Sequence, residues 1–255
     1  MPIHPTAIVD PNAKLGDGVE VGPFVTIGPN AEIGAGSVIS AYAMVNWTLI
    51  GKNSKVGAKS IIGGDPQIYE WQKCPSWVKI GDGVTINELT AIHRSMYEGK
   101  STTIGDGCYI MTQVHVGHDC QLGKEVTLTT FSGLSGHVEI DDYAVIGGAT
   151  GIHQFVRIGS MSMVGGMSKV IKDVLPFFTV TGNPCMPHGL NTLALKKRGV
   201  SIQERKEIKE AYKIIVREGL TSKAALEKLT AKGLTSPAAS KIISFMKSSR
   251  RGLAV

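Results

Sequence analysis

The sequence predicts a mainly β protein: a parallel β-helix over residues 1–175, a connector over 176–190 and a basic α-helical domain over 191–255. Three observations carry this. Aliphatic residues recur every six positions along most of the chain. A glycine often follows them directly. After Val170 the six-residue period stops and a helical one begins.

The repeat starts at Ile3 and runs through Val9, Leu15, Val21, Ile27, Ile33 and Ile39 to Val45. It slips by one residue, resumes at Ile50, Val56 and Ile62, and returns at Ile80, Ile86 and Ile92. From Ile104 it continues unbroken to Val170. Neither an amphipathic helix nor a simple alternating strand has this period. Each hexad reads as a short strand plus a turn, and three hexads close one coil. The aliphatic side chain fills a narrow interior, and the glycine after it is expected to let the chain turn the corner. Two stretches interrupt the pattern, GDPQIYEWQKCPSWVK (64–79) and RSMYEGKSTT (94–103). Both read as loops thrown out from the solenoid. Ile62 and Ile80, 18 residues apart, are expected to stack, so that both loops leave from one side. Trp47, Trp71 and Trp77 are assigned to packing these loops on the coil. Past the Pro/Gly-rich connector, Ser201 and Glu204 have capping-box spacing ahead of a helix. SKAALEKLTAKG and SPAASKIISFMK read as two more.

The composition sets bounds. Of 255 residues, 42% are apolar, enough for a packed core. No window has the ~18 consecutive apolar residues of a membrane span. The start, MPIHPTAIVDP, lacks the basic and apolar regions of a signal peptide, so a cytoplasmic location is expected. Four cysteines without metal-ligand spacing read as free thiols. From Asn191 onward, 15 Lys+Arg face 5 Asp+Glu, a net +10; the rest, 12 against 16, is net −4. A basic tail fits either an anionic partner or a solvated helix surface. It has no aromatic interleaving or nucleic-acid motif, so nucleic acid is not expected as a partner.

Residues 18 apart stack on neighbouring coils, about 4.8 Å apart. Val116, Leu134 and Ile152 form such a stack. This gathers His115, His118, Asp119, Ser135, Gly136, His137, His153 and Gln154 near one corner of three coils. An imidazole beside a carboxylate is a general base near neutral pH. A glycine N–H on the next coil suits a developing oxyanion. Together they describe acyl transfer to a hydroxyl without a protein nucleophile. Three histidines and an aspartate are also a possible zinc set.

HVGHDCQLG, LSGHVEIDDYAVIGG, GIHQFVRIG, GNP, GLN and KKRG, in this order, resemble the UDP-N-acetylglucosamine acyltransferases that begin lipid A synthesis. The resemblance spans the chain. It implies a left-handed β-helix, a homotrimer with sites between subunits, and transfer of a 3-hydroxyacyl chain from acyl carrier protein to the sugar's 3-position. It implies His118 as base, Asp119 as its orienting carboxylate and Gly136 as oxyanion donor. It puts Gln67, His115, His137, His153, Gln154, Asn191, Lys197 and Arg198 in substrate binding. Met163 and Gly166 would line the acyl groove, Gly166 leaving room for a long chain. No metal or cofactor is implied beyond the phosphopantetheine of acyl carrier protein, which the basic tail would attract. Ile68 and Glu70 depart from the family's loop, where an acidic residue and a lysine are usual, and Ser95-Met96 stand where it commonly has Gly-Thr. These departures leave the acceptor open between a hydroxyl and an amine. Alternatives are an N-acyltransferase on an amino nucleotide sugar, a coenzyme A-dependent acetyltransferase, and a zinc protein resembling the gamma carbonic anhydrases.

Overall fold

The structure, a computed structural model, describes residues 3–255; the first two residues of the expected solenoid range lie outside it. The six-residue period winds the chain into a left-handed parallel β-helix of triangular section. Most hexads contribute a two-residue strand, such as His115–Val116, Gln121–Leu122 and Thr127–Leu128. Successive strands go to three different sheets, each strand pairing parallel with those one coil before and after it. The first sheet carries His115–Val116, Gly133–Leu134 and Gly151–Ile152 in register. The second carries Trp77–Ile80, Ser101–Ile104 and Gln121–Leu122. The third carries Thr127–Leu128, Val145–Ile146 and Met163–Val164.

The predicted aliphatic ladder is the core: Ile27, Ile62, Ile92, Val116, Leu134 and Ile152 are all buried. A second ladder two residues earlier is equally buried and made of small side chains, among them Ala31, Ser60, Cys120, Ser132 and Val156. Cys108 and Cys120 belong to it, and burial pushes their thiols up to about 11 and about 12, so both stay protonated. All four cysteines are free thiols.

The glycine after each aliphatic residue serves a different purpose from the one expected. A side chain at Gly117 would meet the backbone of the next coil 2.9 Å away, so glycine here permits close stacking. The corner itself is turned two residues further on, by a residue with positive φ: Asp119 at 61°, His137 at 60° and Phe155 at 65°. Asp visits this region more readily than bulky residues do.

The two loops do leave from one edge, but not because Ile62 and Ile80 stack. Ile62 pairs with Ile92 in the first sheet, whereas Ile80 pairs with Ile104 in the second. Each loop replaces a corner between these two sheets. Both are shorter than expected, since Trp77–Ile80 and Ser101–Ile104 are strands. Trp47 and Trp77 meet edge to face at this corner, their ring centroids 5.3 Å apart. The segment read as a connector contains a hairpin. Phe178–Gly182 extends the third sheet and pairs antiparallel with Cys185–Leu190.

Helices follow at Thr192–Lys197, Ile202–Tyr212, Ser222–Ala231 and Pro237–Ser248, the second continuing as a π-helical turn over Lys213–Arg217. Ser201 and Glu204 form the predicted capping box. Ile208, Leu229, Ile242 and Phe245 pack with Leu175 and Phe178 in a second core that seats the helices on the solenoid's end.

Candidate active site

His118, Asp119, Gly136 and His137 meet at the edge between the first and second sheets. Asp119 turns the corner with positive φ, which swings its carboxylate back beside the preceding ring. His118 Nδ1 lies 2.9 Å from Asp119 Oδ2. A carboxylate only accepts, so Nδ1 carries the hydrogen, and in the neutral ring Nε2 is then the nitrogen with the lone pair. The two side chains are 12% and 9% exposed, buried enough for a firm pair and open enough for a substrate.

Gly136 lies under the ring. A Cβ there would sit 2.5 Å from both His118 Cε1 and Nε2, so only glycine leaves the imidazole its place. Among the described residues no hydrogen bond uses the Gly136 N–H. His137 stacks on Phe155 with centroids 4.6 Å apart and meets His118 edge to face at 5.1 Å. Burial, opposed by the Asp119 charge, lowers the His137 pKa and keeps the ring neutral. Asp119 stays ionised: burial alone would raise its pKa, but hydrogen bonds from His118, Ser95 and Met96 outweigh it and hold the carboxyl below its ordinary value.

His115 lies on the first sheet next to this edge, 5.1 Å from the His93 ring, and burial lowers its pKa. The Nε2 atoms of both rings are buried without a partner among the described residues. His153 is exposed, and its Nδ1 lies 3.2 Å from the Gln154 carbonyl. Gln67 is exposed on the first loop, beside the half-buried Ile68.

The other candidates lie elsewhere. Asn191 donates to the Met161 carbonyl at 2.9 Å. Arg198 pairs with Glu125 at 2.5 Å and lies over the Tyr143 ring at 4.0 Å. Met161, Glu125 and Tyr143 all occupy the edge between the second and third sheets, and the exposed Lys197 is close enough to act on Glu125. Met163 is on the third sheet, and Gly166 lies at the edge from third to first, next to the positive-φ Met167, a Cβ there meeting Gly148 O at 3.2 Å. One chain therefore holds the base, the basic pair and the expected acyl-groove residues on three different edges.

Reading the repeat missed the groups that hold Asp119 from the coil before it: Ser95 and the Met96 amide on the second loop, and Thr102 on the strand that follows it, whose hydroxyl accepts from the Asp119 N–H at 2.8 Å. The signal available was the loop's position, one coil before the HVGHD corner. His118, Asp119 and His137 also bring three possible metal-ligand atoms within 4.8 Å of one another.

Fold and site define an acyltransferase of the hexapeptide-repeat class. Residues 101–136 match the model of bacterial transferase hexapeptides, residues 3–97 that of a GMPPB C-terminal domain, and residues 173–254 that of UDP-N-acetylglucosamine O-acyltransferase domain 2. The chain is 42% identical to the acyl-[acyl-carrier-protein]–UDP-N-acetylglucosamine O-acyltransferases of Burkholderia lata and Burkholderia orbicola, over 98% of each chain. It superposes on the UDP-N-acetylglucosamine O-acyltransferase of Moraxella catarrhalis with TM-score 0.95 and 35% identity over all of both chains. On the Francisella novicida enzyme the TM-score is 0.94 at 37% identity, over 98% of this chain and 93% of that one. The chain belongs to the UDP-N-acetylglucosamine O-acyltransferase family. Among the described residues no helix is long and apolar enough to cross a membrane.

Proposed function

We propose that the protein transfers a 3-hydroxyacyl chain from acyl carrier protein to the 3-hydroxyl of UDP-N-acetylglucosamine, the first step of lipid A biosynthesis. One observation carries the reading: Asp119 accepts a hydrogen bond from His118 Nδ1–H and leaves Nε2 as a base beside a Gly136 N–H unused among the described residues. Nε2 removes the proton from the sugar hydroxyl as its oxygen attacks the thioester carbonyl carbon. The carbonyl oxygen becomes an oxyanion and accepts from the Gly136 N–H. Collapse breaks the carbon–sulfur bond, and the phosphopantetheine thiolate leaves with the proton held on His118. Asp119 stabilises the imidazolium between these steps. Similarity to the Burkholderia enzymes, 42% identity over 98% of the chain, supports the choice of donor and acceptor. The reaction as written uses no metal or further cofactor. The basic C-terminal domain would steer an acidic carrier protein toward the site.

The complete site is assigned to the seam between copies of a homotrimer. Six residues of strand and turn span roughly 15–20 Å, so the three edges of one coil are too far apart for one acyl-sugar junction. A neighbouring copy can bring its Asn191, Lys197 and Arg198, or its Met163 and Gly166, to the His118 edge. Gln67, His115, His137, His153 and Gln154 line the sugar and acyl path in this reading.

The cluster of His118, Asp119 and His137 supports a second reading, a zinc site. Against it, Asp119 Oδ2 already accepts from both the Met96 N–H and His118 Nδ1, and a metal at that oxygen would have to displace one of them. Metal analysis of the purified protein separates the two. Ile68 and Glu70 in the first loop keep an amine acceptor in view.

The test is acyl transfer by wild type and His118→Ala, with a panel of acyl carrier protein thioesters and both UDP-N-acetylglucosamine and its 3-amino analogue. Wild type should acylate one sugar, and the variant should lose about 10²–10⁴-fold in kcat. Full activity of His118→Ala sinks the base assignment, and inactivity of wild type on both sugars sinks the substrate.

A further inference from the structure

The Asp119 carboxylate is gripped from the second loop as well as by His118. Ser95 Oγ donates to Oδ1 at 2.5 Å, and the Met96 N–H donates to Oδ2 at 3.1 Å, the same oxygen that takes the His118 Nδ1 hydrogen. Ser95 is fully buried. Its hydroxyl has one hydrogen to give, and the Asp119 oxygen at 2.5 Å takes the hydrogen bond ahead of the Tyr97 carbonyl at 3.4 Å, while Oγ itself accepts from the Tyr97 N–H at 3.0 Å.

This grip is built on a rigid base. The Ser95 carbonyl accepts from Ser76 Oγ at 2.5 Å, and the Met96 carbonyl accepts from the Trp71 indole N–H at 2.9 Å. Arg94, next in the chain, is only 4% exposed. Its guanidinium lies 4.8 Å from the centroids of both Trp47 and Trp71 and donates to Asp65, the Cys74 carbonyl and Ser76. The two loops are thereby one packed unit whose polar tip is the pair of donors on Asp119.

We propose that Ser95 is a positioning residue for acyl transfer: its hydroxyl, with the Met96 amide, fixes the Asp119 carboxylate and through it the His118 ring. This rests on His118 being the base. Two consequences follow from removing the hydroxyl. The carboxylate is freer to rotate away from Nδ1, so the ring is less often aligned with the acceptor. The carboxylate also loses a donor and becomes more basic, which stabilises the protonated His118–Asp119 pair.

The experiment compares wild type with Ser95→Ala across the acid limb of the pH–rate profile, with thermal melts as a control on folding. The kcat of the variant should fall roughly 10- to 100-fold, the worth of one hydrogen bond to a charged group. KM for the nucleotide sugar should stay within about twofold. The acid limb of kcat/KM should move to higher pH. Wild-type kcat and profile in the variant overturn the proposal. So does a fall in kcat with the limb unmoved, because a general loosening would do that. If Ser95→Ala does not fold, Ser95→Gly takes its place. If wild type transfers no acyl group, the functional reading fails separately, and the carbon-13 carboxyl titration of Asp119 decides. An upward displacement in the variant supports the clamp, and an unchanged titration overturns it.

Discussion

At the scale of single residues the site depends on what glycine and aspartate permit. Asp119 accepts positive φ, and in doing so puts its carboxylate beside the ring of its own neighbour. Gly136 matters twice, for an N–H without a partner among the described residues and for the space above its Cα. A methyl group there would lie 2.5 Å from the His118 ring, so the ring must move. The backbone at Gly136 has no positive φ, and alanine is tolerated conformationally. Gly136→Ala should therefore fold but lose activity about 10²-fold, the cost of a displacement near 1 Å at a reacting group. A thermal melt and a kcat measurement on the same preparation check both halves. Unchanged kcat would mean that the ring above Gly136 is not the base.

At the scale of elements, the solenoid and the two loops divide the work. Short strands stacked coil on coil fix His118, Gly136 and Gln154 at 18-residue spacing, and the buried aliphatic ladder keeps that spacing rigid. The loops add what the repeat lacks, a set of donors arriving from outside the corner. Their anchor is Arg94, whose planar guanidinium is stacked on two indoles while its N–H groups reach three residues. Lysine has the charge without the plane or the fork of donors. Arg94→Lys should thus loosen residues 65–76 while leaving the β-helix folded. Limited proteolysis should then cut near the exposed Tyr69, Glu70, Gln72 and Lys73 well before the solenoid, and a cleavage pattern like that of wild type would show that the stack is not the anchor.

At the scale of the whole molecule, the separation of candidate residues over three edges has a direct consequence. If the site is completed by a neighbouring copy, two inactive variants can complement each other. His118→Ala mixed and reassembled with a Lys197→Ala/Arg198→Ala variant should recover activity, to about a quarter of wild type for random trimers with one intact seam in each mixed one. If each chain held a whole site, the mixture would stay as inactive as its parts. Equilibrium sedimentation of the wild-type protein gives the number of copies independently.

The repeat was legible because a six-residue period of aliphatic side chains has few other physical explanations. The same period predicted which coils stack, and so brought His118, Asp119, Gly136 and His137 together. The capping box at Ser201 and the basic charge of the tail were equally local. The hand of the coil and the roles of Asn191, Lys197, Arg198, Met163 and Gly166 came from resemblance to a family. Only the tertiary structure decided the rest. It moved the work of turning the corner from glycine to the positive-φ residue, put Ile62 and Ile80 on different sheets, and made a hairpin of the connector. It also brought Ser95, Met96 and Thr102 against Asp119. A repeat specifies register by short-range packing, so its stacking can be counted along the chain; contacts made by an inserted loop depend on where a non-repeating segment settles in space, and no period encodes that.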